Sequence, residues 1–113
     1  MSDLYNIVTH ATVIEEGNAG SEYGPLHSRN EGYGVLAEEV DEVQEQIQRM
    51  MDYFNRLVRV IRCDLRELKG DLGAIKKSAQ LASCECIQVA AVAQRFIEMI
   101  DKEARDDSSR NSG

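Results

Sequence analysis

The feature that most constrains this chain is an apolar series at Leu36, Val40, Val43, Ile47, Met50, Phe54, Leu57 and Ile61. Its steps alternate between four and three until Asp64 displaces the next one to Leu65, with Leu68 following. That spacing keeps one stripe of a helix apolar for about seven turns. A second series runs through Ile75, Ala79, Ala82, Cys86, Val89, Ala93, Phe96 and Ile100, again in fours and threes. Gly70 and Gly73 lie between the two and are expected to stop the first helix and form the turn. Long helices joined by a tight glycine-containing turn fold back on each other. The predicted fold class is therefore all-α, an antiparallel long-helix hairpin.

A hairpin alone does not cover this much apolar surface. The first helix, if unbroken, runs about 50 Å, well beyond the roughly 13 Å radius of gyration of a compact chain of this length. The second carries Ile87, Ala90, Ala91 and Val92 outside its main stripe. Both features favour assembly into a four-helix-bundle-type homo-oligomer, a dimer or a tetramer.

Three segments are expected. Residues 1–34 hold a short amphipathic opening (Leu4, Ile7, Val8, Ala11, Ile14), then a stretch with five of the eight glycines and the one proline, to which no regular structure is assigned. Residues 35–101 form the helical core. Residues 102–113 are wholly polar and are expected to be disordered. No apolar run is long enough for a membrane span and no leader is evident, so a cytoplasmic location is expected. Cys63, Cys84 and Cys86 are read as reduced, packed thiols, since one Cys-x-Cys lacks the second ligand pair of a zinc site. The formal net charge of −7 disfavours nucleic acid or an anionic membrane as a direct partner and favours a cation.

The acidic run Glu38, Glu39, Asp41, Glu42 and Glu45 resolves by angle, at about 100° per residue. Relative to the Leu36 stripe, Glu39 falls at about −60° and Glu42 at about −120°, whereas Glu38, Asp41 and Glu45 fall near the far side, at about 140° to 200°. On the second helix, Glu85 and Gln88 repeat the −60° and −120° positions relative to Ala82. Packing these matched edges brings three carboxylates and an amide into one partly buried place. Such a cluster is costly unless a cation neutralises it. Oxygen ligands of this kind suit magnesium, with manganese as a substitute.

At these residues the sequence resembles the MazG-like all-α nucleoside triphosphate pyrophosphohydrolases, in their phage and bacterial branch. That family is marked by E-E-x-x-E on one helix and E-x-x-D on a later one. Here "EEVDE" supplies Glu38, Glu39 and Glu42, and "ECIQ" supplies Glu85 and Gln88. "HSRNEGYGVLAEEVDEV" and "IQVAAVAQRFIEMI" are similar to the surrounding segments of that branch. The resemblance covers residues 26–47 and 85–100. It implies magnesium-dependent hydrolysis of a nucleoside triphosphate between the α and β phosphates, releasing a monophosphate and pyrophosphate, by a homo-oligomer of four-helix units. Glu39, Glu42, Glu85 and Gln88 would hold the metal, and Glu38 would orient the attacking water. Arg95, one heptad beyond Gln88, is the candidate phosphate contact, with Lys76 and Lys77 weaker ones; Glu31 and His27 are candidates to close over the substrate. Gln88 stands where the family has aspartate, and the segment from Glu42 to Glu85 is longer than its usual spacing. Those departures support an alternative, a helical interaction protein that keeps the frame with weakened turnover.

Overall fold

The computed structural model describes residues 2–59 and 64–111, and among them it is all-α. Helix α1 spans Ser2–Tyr23, α2 Arg29–Arg59 and α3 Leu65–Asn111. The chain forms two compact units, one of the residues up to Glu39 with those from Ile87 onward, the other Val40–Cys86. None of the described helices is long and apolar enough to cross a membrane.

Local chemistry sets each helix end. α1 continues through Gly17 and Gly20, which the sequence left without regular structure, and stops at Gly24. That residue adopts φ +73°, and its N–H donates to the Gly20 carbonyl at 3.0 Å. This left-handed glycine cap is followed at once by Pro25, which cannot continue the helix. Ser28 caps α2, its Oγ accepting from the Glu31 N–H at 3.1 Å, and Glu31 Oε2 accepts in turn from the N–H of His27, the residue before the cap, at 3.3 Å. The "GYG" segment therefore lies inside α2, not in a loop before it.

The turn between the long helices is not at Gly70 and Gly73. α2 ends at Arg59, and Asp64 caps α3, its Oδ1 accepting from the N–H groups of Arg66 at 2.9 Å and Glu67 at 3.4 Å. A helix nucleated by this cap runs through both glycines, each costing only about 1 kcal/mol relative to alanine. Ile61 and Cys63 lie outside the described residues.

The unit of Val40–Cys86 is an antiparallel hairpin. Arg56 is ion-paired with Asp71, and Glu42 lies against Glu85, so fourteen residues, two heptads, separate the contacts on each helix. The inward stripe of α2 is Val43, Gln46, Met50, Tyr53 and Leu57, and that of α3 is Leu68, Asp71, Ile75, Ser78, Ala82 and Glu85. The inward stripe of α2 is rotated from the predicted one: Val40, Ile47 and Phe54 are exposed. The apolar surface of α2 is wider than one neighbouring helix covers, and the hairpin leaves Val40, Ile47, Met51, Phe54 and Val58 outside its contact. The thiols Cys84 and Cys86 are exposed and unbridged, which corrects the expectation that they are packed.

In the other unit, residues 29–39 of α2 and the part of α3 from Ile87 on pack with α1. Leu26, Ala91, Val92 and Phe96 are its buried apolar residues. The Phe96 ring lies against the backbone of Gly32 and meets Tyr33 edge-on, centroids 5.2 Å apart. Arg29 pairs with Glu103 at 3.1 Å, and α3 stays helical to Asn111, correcting the expectation of a disordered tail. Opposite charges four residues apart, Asp101 with Arg105 and Lys102 with Asp106, favour the helix there. The apolar opening forms a helix as expected, yet Leu4, Tyr5 and Ile7 are each more than 60% exposed.

Candidate metal centre

Glu39, Glu42 and Glu85 come together: each offers a carboxylate oxygen, and these oxygens all lie within 4.8 Å of one another. The stripe that includes Leu36 and Val43 also carries Glu39, one turn before Glu42 on the unbroken α2. Glu85 occupies the corresponding kind of position on α3, three residues after the buried Ala82. Glu39 and Glu85 are half-buried and Glu42 is exposed. The Oε2 atom of Glu39 is shut off from solvent. Acidic side chains at inward heptad positions repel one another more strongly than on an open face, because less water screens them.

The donor set fits a hard divalent cation. Octahedral magnesium, with oxygens at about 2.0–2.1 Å, spaces its ligands roughly 3–4 Å apart. Oxygens within 4.8 Å of one another are close to that spacing. Gln88 is half-buried one turn after Glu85, and Glu38 is exposed beside Glu39.

Two of the predicted substrate contacts, Arg95 and Glu31, have other partners. Arg95 donates from Nη2 to the carbonyl of Gly24 at 2.7 Å and so ties α3 to the end of α1. Glu31 serves the cap of α2 through the His27 backbone; the His27 side chain is exposed and, like Arg95, borders a groove along α1 and α3. Lys76 and Lys77 are exposed on α3.

The groove also holds a contact that sequence reasoning missed. Glu16 of α1 and Glu98 of α3 share a hydrogen bond, and this bond, burial and the Glu98 charge raise the Glu16 carboxyl above its ordinary 4.5, with Arg95 opposing. Glutamates 82 residues apart give no sequence signal of meeting. Comparison with protein-family models, with curated proteins and with solved structures gives no match.

Proposed function

We propose that this chain is a magnesium-dependent nucleoside triphosphate pyrophosphohydrolase of the MazG-like type, acting as a homo-oligomer. The observation that carries the reading is the convergence of Glu39, Glu42 and Glu85 from two helices, their carboxylate oxygens within 4.8 Å of one another and two of the three residues half-buried. Bound magnesium would supply screening of the polyphosphate and stabilise the charge that develops on its oxygens. The chain's part is to hold that ion through the three carboxylates and to leave Glu42 and Glu38 open to solvent. Glu38 is the residue that the resemblance assigns to orienting water.

The test is pyrophosphate release from a panel of canonical, deoxy and modified nucleoside triphosphates with magnesium or manganese. Turnover that disappears in Glu85→Gln supports the proposal. No release from any of them favours the second reading, a helical interaction protein with the same frame. That alternative draws on Gln88 in place of an acid, and on Arg95 and Glu31 being held by the backbone.

A further inference from the structure

We propose that Arg95 is a pH-dependent latch: it holds the connector between α1 and α2 by the Gly24 carbonyl while Glu16 and Glu98 share a proton, and leaves that carbonyl for the two carboxylates when the proton is lost. All four groups line one groove, Glu16 and Gly24 from α1 and its cap, Arg95 and Glu98 from α3. Arg95 and Glu98 are three residues apart on one helix, the spacing at which side chains are neighbours. The guanidinium therefore has a carbonyl on one side and a carboxylate on the other. The structure sets its Nη2 on the Gly24 carbonyl at 2.7 Å. Glu98 is engaged instead by Glu16 and by Gln94, whose Nε2 donates to Oε1 at 3.3 Å.

Charge decides between the two acceptors. A carboxyl and a carboxylate that share a proton carry one negative charge, and that charge is already bonded. Without the proton, two negative charges face each other with no bond between them, and a guanidinium charged opposite to both relieves the repulsion. The Glu16 carboxyl is raised above 4.5, first by its bond to Glu98, with Arg95 opposing, so the change comes as pH rises above that value. The other charged groups on the groove are His27 of the connector and Lys102, Glu103, Arg105 and Asp106 of α3. Glu103 is paired with Arg29, and Lys102 and Asp106 are of opposite sign four residues apart. On α1, Glu15 lies near Tyr23. Arg95 is the cation placed to answer the lost proton. Its departure frees the segment of Pro25 and Leu26 that walls one end of the groove. This inference does not depend on hydrolase activity.

An NMR titration of the full chain from pH 4.5 upward tests it, following the Glu16 carboxyl carbon, the Gly24 carbonyl carbon and the Arg95 side-chain nitrogens. In wild type the Gly24 and Arg95 signals should shift with the midpoint of the Glu16 carboxyl. Glu16→Gln, which keeps a donor toward Glu98 at every pH, should leave both flat. Arg95→Gln should flatten the Gly24 signal and move the Glu16 midpoint upward, because the opposing cation is gone. His27→Asn should leave the wild-type titration in place. A Gly24 carbonyl that does not follow Glu16 in wild type overturns the proposal. So does a Gly24 shift that survives Glu16→Gln or Arg95→Gln, or one that disappears with His27→Asn.

Discussion

A Cβ placed on Gly32 would lie 2.6 Å from Cε2 of Phe96, so the α2 backbone itself forms the floor on which the Phe96 ring rests. Gly34, two residues on, would meet nothing within 4 Å. Alanine should therefore act in opposite directions at the two positions. At Gly32 an overpacking penalty of about 1–3 kcal/mol outweighs about 1 kcal/mol of helix propensity. At Gly34 only the propensity gain remains. Urea denaturation should show Gly32→Ala less stable and Gly34→Ala more stable than wild type; a shift of the same sign in both contradicts the contact.

The helix caps make a second pair of tests. Ser28→Ala and Asp64→Ala each remove a side-chain acceptor from a helix N-terminus and should each cost about 1 kcal/mol in chemical denaturation. Glu31→Ala should likewise lower stability while leaving the KM for any hydrolysed nucleotide unchanged. A raised KM at unaltered stability would return Glu31 to the substrate.

These caps also explain what the sequence concealed. The all-α class was legible because apolar steps of three and four persist through both long helices. The boundaries were not, because the glycine pairs outweighed "SRNE" and "DLRE", the capping sequences that in fact start α2 and α3. The predicted stripe of α2 averaged two faces, one turned to α3 and one exposed, a division that depends on how wide the neighbouring helix is. That Glu39, Glu42 and Glu85 lie on facing edges was legible from angles; that Glu39 lies within the inward stripe of α2 was not, because the predicted stripe was rotated. The Arg95–Gly24 and Glu16–Glu98 contacts were not, since they depend on how α1 docks along α3.

The Glu16–Glu98 contact gives stability a pH dependence. Their hydrogen bond requires a proton on one carboxyl, and the Glu16 carboxyl is raised above 4.5 in the fold. A raised carboxyl binds its proton more tightly folded than unfolded. Its contribution is complete below the ordinary value and is lost as pH rises through the folded one. Glu16→Gln keeps a donor at all pH values. Its melting temperature should exceed that of wild type near neutrality and change less with pH above 4.5; parallel curves for the two proteins would contradict this.

Gln88→Asp tests whether the fourth position of the acidic motif lies beside a cation. A further carboxylate should lower the melting temperature in chelator through like-charge repulsion and enlarge the rise when magnesium is added. Equal destabilisation in both conditions would mean that no ion sits there.

The most direct measurement on the acidic centre compares wild type with Glu85→Gln by thermal melting, in chelator and across a magnesium titration. Without metal, Glu85→Gln removes one of three converging carboxylates and should melt at or above wild type. With magnesium, wild type should rise in melting temperature as the ion binds the folded state, whereas Glu85→Gln should not. Superimposable magnesium responses in the two proteins would contradict a divalent cation held by Glu39, Glu42 and Glu85.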